Sequence, residues 1–441
     1  MKFYCSYFDR NYLVKALALI DSLIRYEEQD FKFYAVCLDE YTRLILDNLK
    51  IENVIAIPVH EIEWNDAGLI EAKKNRSLVE YYWTLTPTII QRILQNNPGI
   101  DVLTYLDADL FFYSDPQVIM NELGDASVLI HSHRFPPRLK HLEIYGKYNV
   151  GLLVFRNNED GVRILNWWRG KCNEWCYNKL EGERFADQKY LDEWGKTFRG
   201  VAETENIGVG LGPWNHEQYK FSIDQNKNIM VNDSKVVVYH FHSFVIVNED
   251  LFIPSKITDY LIAEDVQRFI YLPYISEILK NISKIKNVDK EFNFGINDSN
   301  VLGPDHTFIA GKSLRNVFSA SRIPQVCIGM DSVWDCYRSN KQFQEKESQF
   351  VTLPENAAGS KSKDESLSDS ALTLDQSSEN LLCVSSIVSV YNSEKFIRGC
   401  LENLVGQTLY KKGQLEIVVV NTGSQQNEEV VVKQFQEKYL N

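Results

Sequence analysis

The feature that most constrains the fold is an alternation of short apolar segments with amphipathic ones near the start of the chain. Strand composition is found in KFYCSYF at 2–8, FKFYAVCLD at 31–39 and ENVIAIPV at 52–59. The intervening segments have helical periodicity, and in the first of them one stripe contains Leu13, Leu17, Ile20 and Ile24. Alternating strands and helices predict a mostly parallel sheet covered by helices on both faces. We therefore predict an α/β fold with a central sheet of the Rossmann type.

Further strand patterns extend this domain to about residue 250. They are VLTYL at 102–106, ASVLIHS at 126–132, NVGLLVFRN at 149–157 and KVVVYHFHSF at 235–244. Residues 251–350 are predicted to form a helical appendage. Residues 351–380 are rich in Ser, Asp and Lys and poor in apolar residues, which predicts a disordered linker. A strand, helix, strand pattern then returns at 381–441 and predicts the start of a second α/β domain.

Charge and composition exclude some classes of function. The chain has 441 residues, of which 47 are basic and 60 acidic, for a net charge of −13. No basic stripe offsets repulsion from phosphates, so we expect no nucleic-acid partner. No stretch approaches the ~20 apolar residues of a membrane span, and the start lacks the layout of a signal peptide. Scattered cysteines fit reduced thiols. We expect a cytoplasmic protein, with peripheral contact to the inner face of a membrane left open.

Two carboxylates, Asp107 and Asp109, follow the apolar segment 102–106. Ligands of open α/β sheets bind beyond the carboxyl ends of the strands. Residues two apart on a strand share a face, so both carboxylates could reach one cation while Ala108 points away. Two solvated acids at a turn are the alternative, but apolar residues on both sides make solvation unfavourable. The pair predicts part of the shell of a divalent cation that substrate phosphates complete.

Two histidines, His240 and His242, follow another strand pattern. Imidazole is a good additional ligand for a borderline cation such as manganese. Two histidines after a strand are, by themselves, more often ordinary packed or surface residues. Their position at a second strand end favours a metal site, and we predict Mn²⁺ or Mg²⁺ as the cofactor.

Five segments, in this order, are similar to those of one enzyme family: FDRNYL, YLDADLFF, YNVGLLVF, FADQKYLD and HFHSF. Over about residues 1–245 the chain resembles nucleotide-sugar glycosyltransferases of the GT-A fold, and among them the retaining family 8. The resemblance implies that the metal ligands are Asp107, Asp109 and His240, with His242 as the second choice for the histidine. It implies a donor that is a nucleotide sugar.

The same resemblance implies roles for residues outside the metal site. Residues near the base and ribose would be Asp9, Asn11 and Tyr12, and those around the sugar and reaction centre Asn149, Gly151, Asp187 and Gln188. Two of these have plainer alternatives, since Asp187 could cap a helix and Asn149 could serve the backbone. The family's Gly is replaced by Ser243, and its arginine before the acidic pair has only Arg76 as a candidate.

The C-terminal segment is similar to the opening of a family-2 glycosyltransferase. The resemblance rests on SIVSVYNSEKFIRGCLENLVGQT and LEIVVVNTGS, where Ser389 and Thr422 replace the usual Pro and Asp. That family's metal-binding triplet would lie beyond Asn441, so we expect this second unit to be inactive by itself. The chain would then resemble a truncated or split bifunctional enzyme.

The expected reaction is metal-dependent transfer of a sugar, of the hexosyl type, from a nucleotide diphosphate to a hydroxyl acceptor. The resemblance implies UDP and retention of configuration, and by analogy a bacterial surface polysaccharide or a lipid-linked glycan as acceptor. A rival is an inactive protein that only binds a nucleotide sugar. A weaker rival is a nucleotidyltransferase, which would normally have a Gly-rich loop where CSYFDRNYL has no glycine.

Overall fold

The computed structural model describes residues 1–296, the segments 309–310, 384–390, 415–421 and 428–439, and the positions 397, 398, 400, 401 and 405. The chain divides into two compact units between residues 353 and 354. The predicted disordered linker, residues 351–380, lies outside the described residues. Among the described helices, none combines the length and the apolar run that would be needed to cross a membrane.

A seven-stranded sheet forms the centre of the first unit, in the order β3-β2-β1-β4-β7-β6-β8. All neighbouring pairs are parallel except the two that β7 makes with β4 and β6. The predicted mixed α/β fold with a mostly parallel sheet is thereby confirmed. The strands of this sheet and of the smaller ribbons are β1 (Lys2–Phe8), β2 (Phe31–Cys37), β3 (Val54–Pro58), β4 (Val102–Leu106), β5 (Leu110–Phe112), β6 (Val128–Ser132), β7 (Tyr148–Arg156), β8 (Val201–Glu203), β9 (Phe221–Ile223), β10 (Ile229–Val231), β11 (Ser234–Lys235), β12 (Val238–His240), β13 (Val245–Asn248), β14 (Leu251–Ile253) and β15 (Ile309–Ala310).

Helices cover the sheet, and side-chain caps start several of them. The capping box of Ser77 and Glu80 begins α5, and Asp39, Asp66 and Asn158 cap α2, α4 and α7. The helices are α1 (Leu13–Tyr26), α2 (Glu40–Leu49), α3 (Val59–Glu63), α4 (Ala67–Asn75), α5 (Leu78–Asn96), α6 (Gln117–Leu123), α7 (Glu159–Glu174), α8 (Trp194–Thr197), α9 (Glu264–Val266) and α10 (Leu272–Lys286). Short 3₁₀ helices span Pro137–Tyr145, Lys189–Glu193 and His216–Gln218, and a π-helix spans Gln267–Tyr271.

The first helix differs from its predicted stripe at one position. Leu13, Leu17 and Ile20 are fully buried, but Ile24 is 47% exposed and Leu23 takes the buried place. The difference arises because α1 is surrounded on most of its circumference for its first three turns. The buried face therefore cannot be read from a single stripe.

The segment after residue 253 packs into the same apolar core as α1. Buried side chains of α10 and of the π-helix before it, among them Tyr271, Tyr274 and Ile278, belong to the cluster that contains Leu17 and Phe111. Tyr274 stacks on Phe241 with ring centroids 3.6 Å apart. The helix α10 is thus part of the support behind β5 and β12.

In the second unit, β16 (Val384–Val390) and β17 (Leu415–Asn421) pair in parallel. A helix, α11, follows at Glu428–Tyr439. The buried side chains Ile397, Leu401 and Phe435 form a small apolar cluster. The two strands predicted for this segment are therefore present, and the described positions between them, 397, 398, 400, 401 and 405, are helical.

Candidate functional site

The acidic pair lies in a tight turn between β4 and β5. The backbone N–H of Leu110 donates to the carbonyl of Asp107 over 3.2 Å, which closes the turn, and the N–H of Asp107 donates to the carbonyl of Gly151 over 2.8 Å. The expectation that both carboxylates share one face of a regular strand was wrong, because the strand ends at Leu106. The turn brings the two side chains together instead.

His240 reaches the pair from the neighbouring ribbon. It ends β12, which pairs antiparallel with β5 so that His240 lies opposite Leu110. Its Nε2 is 3.0 Å from an Asp109 oxygen and 3.7 Å from an Asp107 oxygen. The N–H of Phe241 donates to the carbonyl of Asp109 over 2.8 Å, which fixes the register of this contact.

The three side chains Asp107, Asp109 and His240 form what we call the metal cluster. Their donor atoms lie within 4.8 Å of one another, and no other such group of three is found among the residues that the structure describes. Asp109 and His240 are buried, and the second imidazole nitrogen, Nδ1, has no hydrogen-bond partner in the described part of the chain. Two carboxylates and an imidazole are the donor set of a hard or borderline divalent cation, so these residues fit such an ion.

Asp109 and His240 shift each other's pKa within the metal cluster. At Asp109, burial raises the pKa, but the charge and hydrogen bond of His240 outweigh burial and hold the carboxyl below its ordinary range. At His240, burial lowers the pKa, but Asp109 outweighs it and raises the pKa above its ordinary value. The Asp109 carboxylate and the His240 imidazole therefore each favour the charged form of the other.

Asn149 and Gly151, on β7, lie directly beside His240. The Asn149 amide oxygen accepts from the N–H of Gly151 over 2.8 Å, and its nitrogen is 3.2 Å from Nε2 of His133. A Cβ on Gly151 would be 2.6 Å from Nδ1 of His240, closer than real atoms approach. Asn149 thus does bind the backbone, as the plainer alternative predicted. It also positions β7 against the metal cluster.

Asp187 is joined to the cluster through aromatic side chains. Tyr105 donates to Asp107 over 2.6 Å, its ring stacks on Tyr7, and Tyr7 contacts Thr86 over 3.0 Å. Asp187 lies near Thr86 and Asp107, and burial, followed by the charge of Asp107, raises the pKa of its carboxyl to about 8. Much of this carboxyl is therefore protonated at neutral pH.

Asp187 does not cap the helix that follows it. The following 3₁₀ helix has Gln188 at its N-cap and no side-chain cap. Ala186, directly before Asp187, has a φ of 48°, a left-handed conformation that costs energy in any residue with a Cβ. Gln188 is half-buried and donates to the carbonyl of Tyr145 over 3.4 Å.

Asp9, Asn11 and Tyr12 lie in the loop after β1, next to β4 in the sheet. The Asp9 carboxylate accepts from the N–H of Asn11 over 2.9 Å and from the Asn11 amide over 3.2 Å. Tyr12 is 43% exposed, and partial burial, followed by the charges of Asp109 and Asp107, raises the pKa of its hydroxyl. The structure thus brings the predicted nucleotide loop to the metal cluster.

The contacts of Arg76 serve another part of the fold. Its guanidinium donates to Thr84 Oγ1 over 2.5 Å and to the carbonyl of Asn173 over 2.8 Å, and it lies over the Tyr177 ring. These contacts join α5 to the end of α7 and do not include the acidic pair. A donor-binding role of Arg76 remains a prediction.

Ser243 adopts the conformation that a glycine would adopt easily. Its φ is 60°, in the left-handed region, so the serine holds with some strain a conformation that glycine adopts freely. His242, two residues from His240, is outside the group of three that can hold one ion. Trp214 packs its ring edge-on against His240 and His242, with centroids 5.2 and 5.9 Å away.

Sequence reasoning missed three residues of this site, Lys15, Tyr105 and His133. Lys15 is buried on α1, and its signal is a lysine inside the otherwise apolar run YLVKALALI. Tyr105 is in β4, two residues before Asp107, and its hydroxyl reaches the Asp107 carboxylate at the start of the turn, a contact that strand periodicity does not predict. His133 had no local signal, because its contact with Asn149 joins separate strands.

Comparisons with known proteins identify relatives and similar structures. Residues 385–441 match the family model described as Glycosyl transferase family 2. The uncharacterized Bacillus subtilis protein YfnF is 32% identical over 310 residues, which cover 67% of this chain and 98% of YfnF. The uncharacterized protein YfnD of the same organism is 30% identical over 304 residues, covering 68% of this chain and 96% of YfnD.

Among solved structures, the galactosyltransferase LgtC, crystallised with donor and acceptor sugar analogs, has a TM-score of 0.36 and 17% identity. The match covers 54% of this chain and 86% of LgtC. The matches to YfnF and YfnD, at 32% and 30% identity, extend over nearly the whole length of both relatives. The chain belongs to the family of the Bacillus subtilis proteins YfnF and YfnD.

Proposed function

We propose that the first unit is a metal-dependent glycosyltransferase that moves a sugar from a nucleoside diphosphate to a hydroxyl acceptor. The observation that carries the proposal is the metal cluster at the carboxyl end of β4, with Asp187 nearby, where burial and the charge of Asp107 raise the pKa of its carboxyl. A diphosphate leaving group needs a cation, and the cluster lies where ligands of such sheets bind.

Each group of residues has a separate task in this proposal. A Mn²⁺ or Mg²⁺ ion held by the metal cluster would neutralise the charge that grows on the departing diphosphate. Asp9, Asn11 and Tyr12 position the nucleotide, with Arg76 as a further candidate. Around the sugar lie Asn149, Gly151, Asp187 and Gln188. The buried, largely protonated Asp187 is suited to donate a hydrogen bond to the sugar.

The finer assignments rest on the family-8 resemblance of the sequence motifs. UDP as the donor nucleotide, a hexosyl group and retention of configuration follow from it. The family-2 match at 385–441 supports two transferase-like units in one chain. Such a pair suits the synthesis of a surface polysaccharide or glycolipid, with a glycan or lipid-linked glycan as acceptor and peripheral contact with a membrane.

Calorimetric titration of nucleoside diphosphates into the full chain, with and without Mn²⁺, tests the proposal. We expect binding of UDP that requires Mn²⁺ and that Asp109→Asn weakens by about 100-fold or more, since loss of even an outer partner of a metal ligand costs about 10- to 100-fold. The control is Asp125→Asn, which removes the same charge from an exposed carboxylate between α6 and β6. Its binding should equal that of the wild type.

Three outcomes would contradict the proposal in different ways. Equal binding with and without Mn²⁺, or none for any nucleotide, would return the acidic pair to a turn-forming role. A collapse of thermal stability in Asp109→Asn would make this acid structural. Mn²⁺-dependent binding with neither hydrolysis nor transfer of the sugar would identify a protein that only binds nucleotide sugars.

A further inference from the structure

Lys15 is a cation buried beside the metal cluster. Its side chain is on the first turn of α1 and the residue is only 7% exposed. The ammonium nitrogen donates to the carbonyl of Phe244 over 2.8 Å and lies 4.5 Å from the centre of the Tyr12 ring. Among the described residues it forms no ion pair with a carboxylate.

An ammonium in this position is incompletely satisfied. It has three N–H donors, and the Phe244 carbonyl takes one of them. A buried charge is costly unless a charged partner and further hydrogen bonds compensate it. The N–H of Phe244 donates to the carbonyl of Phe241 over 3.0 Å, and the N–H of Phe241 donates to the carbonyl of Asp109, so the turn that Lys15 contacts adjoins the metal cluster.

The first turn of α1 adds a second, independent feature at the same place. Its N-cap residue, Tyr12, makes no side-chain hydrogen bond to the helix, and the first turn contains no acidic residue. The first N–H groups of a helix have no partner within the helix, and they favour an anion. A lysine that is nine-tenths buried therefore lies on a 14-residue helix whose N-terminus has no side-chain cap.

We propose that Lys15 binds a diphosphate oxygen of the nucleotide donor, together with the first-turn N–H groups of α1. This inference rests on the proposed function, because that function supplies the diphosphate. The diphosphate would lie between two positive groups, the ion of the metal cluster and the ammonium of Lys15. A purely structural role, in which Lys15 only holds the Phe244 carbonyl, is the alternative.

Lys15→Gln separates the two roles, because its amide can still donate to the Phe244 carbonyl while the charge is lost. The full chain is titrated with inorganic pyrophosphate, UDP and uridine at saturating Mn²⁺. We expect affinity for pyrophosphate and UDP to fall about 10- to 100-fold, the worth of a hydrogen bond between charged groups, and affinity for uridine to stay unchanged. The control, Lys32→Gln, removes an exposed lysine from β2 and should behave like the wild type.

The outcomes distinguish this inference from the function on which it rests. If Lys15→Gln binds pyrophosphate and UDP within about twofold of the wild type, or weakens uridine equally, Lys15 is structural and the proposed function stands. If the wild type binds neither pyrophosphate nor any nucleotide, both fail.

A crystal structure of the wild-type chain with UDP and Mn²⁺ tests the contact between Lys15 and the diphosphate without a variant. A phosphate oxygen should lie about 3 Å from the Lys15 ammonium nitrogen. A bound diphosphate whose oxygens all lie beyond hydrogen-bond distance of that nitrogen would overturn the inference.

Discussion

At the scale of single residues, Gly151 is where backbone geometry and the metal cluster meet. A Cβ at this position would lie 2.6 Å from Nδ1 of His240 and 2.7 Å from Oδ1 of Asn149. We predict that Gly151→Ala displaces the imidazole and lowers the affinity for Mn²⁺ by about 10- to 100-fold, as the loss of a partner of a metal ligand does. Calorimetric titration of Mn²⁺ into the variant measures the change.

The matched control for this substitution is Gly170→Ala. Gly170 is on the exposed side of α7, and a Cβ there meets nothing within 4 Å. Alanine is the better helix former by about 1 kcal/mol, so this variant should be more stable and bind Mn²⁺ as the wild type does. Wild-type affinity in Gly151→Ala as well would show that His240 does not depend on this glycine.

The two acids of the metal cluster could be predicted from the residues because they follow an apolar strand pattern, whereas the choice of His240 over His242 came from the family resemblance. Their contact could not be predicted in detail. The strand ends one residue before Asp107, so the carboxylates converge through a turn and not through strand periodicity. The role of Lys15 was not visible either, because its carbonyl partner, Phe244, is 229 residues away along the chain.

At the scale of elements, the junction between α1 and β5 holds the acidic turn in place. Ser22 Oγ accepts from the buried N–H of Phe112 over 3.0 Å and donates to the carbonyl of Leu19 over 2.7 Å. We predict that Ser22→Ala lowers the free energy of unfolding by about 1–3 kcal/mol, because the N–H of Phe112 is left buried without a partner. Chemical denaturation followed by circular dichroism measures it.

Ser283→Ala is the control for this junction. Ser283 is an exposed residue on α10, where its hydroxyl donates to the carbonyl four residues earlier. Its replacement should change stability by less than about 0.5 kcal/mol. Equal effects in the two variants would mean that water or a backbone shift satisfies Phe112 when Ser22 is lost.

Most elements of the first domain follow from sequence period alone, because a helix and a strand each repeat their apolar residues at a fixed spacing. Prediction from this spacing fails where an element is packed on several sides. The helix α1 is buried on nearly all sides. Its last buried apolar residue is Leu23 and not Ile24, because the last turn emerges from the core. The packing of α10 behind β5 has no local signal at all.

At the scale of the whole first unit, His216 connects segments that are distant in sequence. It is fully buried, with Nδ1 2.6 Å from the Tyr239 hydroxyl and Nε2 2.8 Å from the carbonyl of Leu261. Burial lowers the pKa of this imidazole from 6.5 to about 4. Between pH 6.5 and about 4, His216 binds a proton in the unfolded chain but stays neutral in the folded chain.

The resulting contribution to stability is complete above pH 6.5 and is lost as the pH falls towards 4. In His216→Gln, whose amide can retain one of the two hydrogen bonds, this pH dependence is absent. We predict that the wild type's advantage in unfolding free energy over the variant shrinks by up to about 1.4 kcal/mol per pH unit in that range, measured by urea denaturation at several pH values. The comparison cancels groups whose pKa shifts have the opposite effect, such as Asp187, since both proteins contain them.

The control is His60→Gln, which replaces an exposed residue on α3 and should reproduce the wild-type curve. A constant difference between the wild type and His216→Gln from pH 7 to 4 would mean that the folded protein accommodates the charged imidazole.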